Sequence, residues 1–171
     1  MAISRLNHAV LYVRDAARSA AFYRDVLGFR TTVELPGGAG VFLQAEGSTN
    51  DHDLGLFAIG AGAGASEAGR RTVGLYHLAW EVDTLDELER VADRLAAHGA
   101  LVGASDHATT KALYAKDPDG IEFEVSWLLP ADLITPEVTQ GAAMIAPLDL
   151  DKEIARYGAQ TRGGVGVSVP V

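Results

Sequence analysis

Hydrophobic positions along this chain change period from strand to helix and back, and the same order then recurs. Residues 6–13 alternate with the two-residue rhythm of a strand. Asp15 stands as an N-cap before the alanine-rich segment 16–27, whose Phe22, Tyr23, Val26 and Leu27 gather on one side, and Gly28 stops it. Short strands are predicted at 29–34 and 41–45. A polar turn at 47–51 leads into a further strand at 53–59. The second half begins with a strand at 73–82, followed by the capping box Thr84…Glu87 and a helix striped with Leu85, Leu88, Val91, Ala92 and Leu95. His98 and Gly99 end that helix, and strands follow at 100–104 and 111–116. The turn Asp117-Pro-Asp-Gly120 then opens a last strand over 121–127. Each half reads β-α-β-β-β.

Two copies are too few for a solenoid, but they can pair into one cupped mixed sheet with a shared cleft. The predicted class is therefore α+β, with two tandem βαβββ modules around a site. The first module is expected at 1–60, a linker at 61–72, the second module at 73–129, and a C-terminal extension at 130–171, with 1–130 forming one domain. The linker is rich in glycine and alanine, a composition that bends freely. In the extension, 148–157 has the composition of a short helix. The glycine-rich apolar segment 163–170 fits either a contact with a partner subunit or poor order.

Composition narrows the function classes. With 171 residues, 48% of them hydrophobic, the chain can bury an ordinary globular core. A net charge of -9 opposes sequence-independent nucleic-acid binding, which depends on cations neutralising phosphates. The absence of cysteine excludes disulfides and thiolate metal sites. Neither a signal-peptide pattern nor a long apolar run is present, so a soluble cytoplasmic protein with no membrane partner is expected.

Chemistry concentrates on a few positions. His8 and His77 occupy equivalent places on the first predicted strand of each repeat, and Glu124 lies on the last strand of the second. Two imidazoles and one carboxylate on one face of an octahedral metal leave three positions open, an arrangement suited to Fe(II) and dioxygen. Glu122 shares parity with Glu124 but lies nearer the turn and water, which makes Glu124 the better ligand. The corresponding region of the first repeat, around Leu54 and Leu56, has no carboxylate. A three-ligand open site suits oxygen chemistry better than the closed four-ligand site of an isomerase. Val10, Trp80 and Phe123 are candidates to line a pocket.

The run from Ser105 to Glu124 contains His107, a five-residue spacer, Leu113-Tyr114, Asp117-Pro-Asp-Gly120 and then Glu124. It resembles the signature of type I extradiol catechol dioxygenases, and the chain over about 5–128 is similar to the vicinal oxygen chelate superfamily in its single-copy form. The resemblance implies that His8, His77 and Glu124 bind Fe(II), with Mn(II) as the other candidate, and that O2 is the co-substrate. It implies that His52 is an acid/base beside the dioxygen position. Tyr114 would hydrogen-bond a substrate hydroxyl, and His107 would contact the substrate oxygen. The implied partner is a small aromatic diol, and a homo-oligomer is expected. The alternatives on this scaffold are a glyoxalase-like isomerase, an epimerase or lyase, and a drug-binding resistance protein.

Overall fold

The computed structural model describes residues 2–3, 5–68, 71–141 and 145–168, so the last residues of the apolar C-terminal segment lie outside the described residues. The chain forms two compact units. One comprises Met1–Ser66 with Asp117–Ile121, and the other Glu67–Lys116 with Glu122–Val171.

In the first unit the order is β1 (Ala9–Val13), α1 (Ala16–Leu27), β2 (Arg30–Glu34), β3 (Gly40–Gln44) and β4 (Leu54–Ala58). These strands make a sheet of order β1-β4-β3-β2, parallel between β1 and β4 and antiparallel elsewhere. Alternation decides which face is buried. Leu11, Val13, Val41, Leu43, Leu54 and Leu56 point to the core, where Ala20, Tyr23 and Val26 of α1 cover them. Each large apolar side chain buried in this way stabilises the unit by about 1.5–3 kcal/mol before entropy is counted. The Asp15 side chain accepts from the Arg18 N–H at the start of α1, and Gly28, at φ 75°, ends the helix in the left-handed conformation that glycine adopts freely.

The turn Asp117–Ile121 packs as part of this unit. The Asp119 carboxylate accepts from the Arg14 backbone N–H at 2.9 Å and from its guanidinium at 2.7 Å. The same guanidinium donates to the Ala63 carbonyl, so the linker is tied down at that residue despite its flexible composition. Asp117 is buried and accepts from the Asp119 and Ile121 N–H groups and from the Tyr23 hydroxyl.

The second unit contains β5 (Leu78–Glu81), α2 (Leu85–Ala97), β6 (Leu101–Asp106), β7 (Thr110–Lys116), β8 (Glu122–Leu128), α3 (Pro136–Gly141), β9 (Ala146–Pro147) and α4 (Leu150–Tyr157). Its sheet has the order β5-β8-β7-β6-β9. The strand pairing thus resolves into two mixed sheets, one per module, where the repeat alone suggested one continuous sheet. The modules also share a detail that hydrophobic periodicity does not reveal. A register shift falls between Thr31 and Val33 in the first module and between Leu101 and Gly103 in the second. An extra residue at the same place in each sheet bends both strands alike.

Three local expectations are corrected. Residues 6–8 and 73–77 are not strand, because ladder pairing begins at Ala9 and Leu78; His8 and His77 therefore stand immediately before their strands. Phe123 and Trp80 share the core-side face with Val125 and Leu113, which removes them as pocket linings. The extension is docked at 163–168. The Gly163 N–H donates to the Asp83 carbonyl, the Val165 N–H to the Glu81 carboxylate, and the Ser168 hydroxyl to the Leu128 carbonyl.

Candidate functional site

In the first unit, the polar turn before β4 gathers two of the expected site residues. Asp53 accepts from Ala45 N–H, the Ser48 hydroxyl and the Asn50 amide, which makes the turn rigid. The Asn50 amide also donates to the Asn7 carbonyl at 2.7 Å, and the Asn7 side chain lies 2.7 Å from His8 Nδ1. The His8 and His52 rings come within 4.6 Å, and Phe42 stands edge-on to His52 at 4.9 Å. His52 Nδ1 pairs with the Asp51 carboxylate at 3.0 Å, and that hydrogen bond holds the Asp51 carboxyl below its ordinary range. Asp51 orients the ring and turns Nε2 away from that carboxylate. Asn7, Asn50 and Asp53 are positioning residues that motif reading did not single out. Their only sequence signal is the density of Asn, Ser and Asp in one turn.

Val10, Tyr12 and Phe57 share the sheet face opposite the core with Phe42 and Gly55. Tyr12 is 72% exposed and Val10 51%, so this face is apolar, partly aromatic and open at these two positions.

The second unit collects the remaining candidates on one sheet face. Glu124 of β8 lies directly across from Ala79 of β5 and from Tyr114 of β7. His77 Nε2 approaches the Glu124 carboxylate to 3.3 Å, and the His77 and Tyr114 rings are 6.0 Å apart. The Tyr114 hydroxyl lies 2.9 Å from His107 Nε2. Burial, then the neighbouring Glu124 charge, raises the Tyr114 phenol above its ordinary value, so it remains a neutral hydrogen-bonding group at physiological pH. Glu122 instead reaches Lys116 at 3.5 Å, which accounts for the second same-parity carboxylate.

The His77–Glu124 pair fits a metal. Two ligand atoms at about 2.1 Å from one ion and at right angles to each other are separated by about 3 Å. Among the described residues, His77 Nδ1 is buried without a hydrogen-bond partner, and with the ring proton on that nitrogen the Nε2 lone pair faces a carboxylate. A bound cation relieves that repulsion, and imidazole with carboxylate suits a first-row divalent ion. Among the described residues, no group of three or more His, Asp or Glu side chains is already gathered around one point. His8 with His52, and His77 with Glu124, Tyr114 and His107, are the groupings each unit holds.

Register makes the asymmetry between the modules specific. The residue after His8 faces Leu54 and the residue after His77 faces Phe123; the next pairs are Val10–Gly55 and Ala79–Glu124. Gly55 therefore holds in β4 the place of Glu124 in β8. Phe42, across from Gly55, holds the place of Tyr114. A Cβ on Gly55 would lie 3.3 Å from the Phe42 ring and 3.4 Å from Val10, so the site has little room for a side chain.

A cleft of about 250 Å³ in the second unit is lined by Asp106, Lys111, Glu137, Arg156 and Tyr157, among others. It opens on the face of β7 opposite Tyr114 and is not where a substrate would meet these histidines. Among the described residues, no helix is long and apolar enough to cross a membrane.

Known proteins share the sequence and the fold of this chain. A catechol-2,3-dioxygenase from Bacillus subtilis (strain 168) is 34% identical over 123 residues, covering 71% of this chain and 41% of that protein. A biphenyl-2,3-diol 1,2-dioxygenase from Rhodococcus globerulus is 32% identical over 136 residues, covering 78% of this chain and 66% of that protein. The chain thus spans only part of each relative's length. The crystal structure of a glyoxylase/bleomycin resistance protein/dioxygenase domain from Frankia sp. EAN1pec shares the fold, with TM-score 0.63, 24% identity, and coverage of 74% of this chain and 93% of that one. Residues 5–125 match a family model, and the chain belongs to the Glyoxalase/Bleomycin resistance protein/Dioxygenase superfamily.

Proposed function

We propose that the chain is an extradiol ring-cleaving dioxygenase acting on a catechol-type diol, with His8, His77 and Glu124 as ligands to Fe(II), or to Mn(II), and O2 as co-substrate. The observation that carries this reading is the unequal register pair, Glu124 in one module and Gly55 in the other. With no carboxylate on the first-module strand, the ligand set stops at three and leaves room for a chelating diol and dioxygen. Similarity to the two dioxygenases supports the same choice.

The bound metal would supply acidification of a chelated hydroxyl and an electron path between the diol and dioxygen. Tyr114, kept neutral by its surroundings and hydrogen-bonded to His107 Nε2, hydrogen-bonds a substrate hydroxyl at Oη and helps stabilise its anionic form. His52, with Nδ1 held by Asp51, takes and returns a proton through Nε2. Val10, Phe42 and Phe57 offer the flat apolar contact that an aromatic ring needs to displace water.

The test is anaerobic loading of the purified protein with Fe(II), followed by a catechol panel under oxygen. A yellow ring-opened product is expected. Turnover only of 2-oxoaldehyde–thiol adducts would assign the protein to the isomerases instead.

A further inference from the structure

We infer that the C-terminal extension is a positioning element of the site, acting through a buried ion network, Glu153–Lys111–Asp106, that holds the His107 hairpin in place. The inference rests on the reading of His107 and Tyr114 as substrate-facing residues.

Lys111 is only 1% exposed, on the core face of β7 across from Trp127. A buried ammonium is tolerated only when paired. Its Nζ lies 2.5 Å from Asp106 Oδ1 and 2.9 Å from Glu153 Oε2 of α4, and Glu153 is itself 3% exposed. The Glu153 contact falls outside hydrogen-bonding angles, so its attraction is mainly coulombic. The Tyr157 ring lies 5.7 Å from the ammonium, closing the side toward α4. Lys111 is thus held between a carboxylate of the sheet and a carboxylate of the extension.

Asp106 connects this pair to the site. Its Oδ1 also accepts the Ala108 N–H at 2.7 Å, two residues along the hairpin joining β6 and β7. Ala108 has φ 64°, the left-handed region, which is strained for a residue with a Cβ. Among the described residues it is the only non-glycine with positive φ. Such strain persists where neighbours over-determine the backbone. Here the Asp106 cap, the His107 N–H to Thr110 carbonyl bond and the Leu129 N–H to Thr109 carbonyl bond do so. The result aims His107 Nε2 at the Tyr114 hydroxyl. Without Glu153, Lys111 can move outward with Asp106, and the Ala108 cap is lost with it.

The experiment reads the imidazole 15N resonances of His107 in the metal-free protein, with Tyr114→Phe as the reference for a broken His107–Tyr114 hydrogen bond. Glu153→Ala and Asp106→Ala are expected to move the His107 resonances toward the Tyr114→Phe values, while Lys152→Ala on exposed α4 leaves them in place. In the unmutated protein the Ala108 amide should exchange as slowly as the β6–β7 ladder amides. If the wild type is an active dioxygenase, Glu153→Ala lowers kcat/KM about tenfold, roughly 1.4 kcal/mol, with iron affinity unchanged. A folded Glu153→Ala protein with wild-type His107 resonances would overturn the inference, as would fast Ala108 exchange where the variants do not fold. A wild type with no ring-cleaving activity would remove the proposed function but leave the resonance test standing.

Discussion

At the residue scale, Asp117 illustrates how a motif residue can serve the fold. Its carboxyl lies above the ordinary range because burial disfavours the charge; the Ile121 and Asp119 N–H groups work against that shift, and the Asp119 charge adds to it. A carboxyl whose pKa is raised by folding favours the native state below its unfolded value, near 4, and loses that contribution as pH rises through the folded value. Ionised Asp117 is therefore a cost at neutral pH. Asp117→Asn keeps an acceptor for both N–H groups and removes the charge. Its stability relative to wild type should improve between pH 4 and pH 7 in urea unfolding, and an equal difference at both pH values would refute the assignment. Asp117→Ala leaves both N–H groups without an acceptor and should cost about 1–3 kcal/mol. His52 poses the opposite case, a residue proposed to serve the reaction. His52→Phe fills the place beside Phe42 and His8, so folding, iron binding and catechol binding should survive while turnover falls about 10²–10⁴-fold, the scale of lost acid–base catalysis. Loss of iron binding in that variant would contradict the role.

Elements were legible where a local rule determines them. Both long helices carry side-chain caps that the sequence displays, Asp15 and Thr84; α2 buries the leucines and Val91 of its expected stripe, whereas α1 buries Ala16, Ser19, Ala20, Tyr23 and Val26 and leaves Phe22 and Leu27 only half-buried. What stayed hidden depends on pairing between strands: the matched bulges, the placement of both histidines just ahead of their ladders, and the Gly55–Glu124 equivalence. The extension was misread because glycine-rich composition suggests mobility, whereas here glycine permits close approach. A Cβ at Gly163 would meet the Leu128 carbonyl oxygen at 1.8 Å and Trp127 Nε1 at 3.0 Å. Gly163→Ala must therefore push the segment off β8, losing the Gly163–Asp83 bond and uncovering Trp127, whose indole donates to the Thr161 carbonyl. A destabilisation of roughly 2–4 kcal/mol is expected in denaturant midpoints, with Gly166→Ala as contrast because no atom lies within 4 Å of its added Cβ, though its φ of 79° still disfavours alanine.

For the molecule as a whole, the repeat revealed the architecture but not the division of labour between its copies. That division is testable through metal linkage. A ligand that binds only the native protein stabilises it by RT ln(1 + [L]/Kd), about 2.7 kcal/mol at a hundredfold excess over Kd. Under anaerobic conditions Fe(II) or Mn(II) should therefore raise the unfolding temperature, and a chelator should reverse the rise. The proposed ligands come from both modules, so His8→Ala should remove the rise as fully as His77→Ala or Glu124→Ala does. A site confined to the second module predicts something different, because His77 and Glu124 already converge there without His8. In that case His8→Ala would keep most of the metal-induced shift, and the three-ligand assignment would fail even if the protein binds iron. Asp51→Asn provides the remaining control: it weakens the pairing at His52 but contributes no proposed ligand, so its metal-induced shift should match that of the unmutated protein.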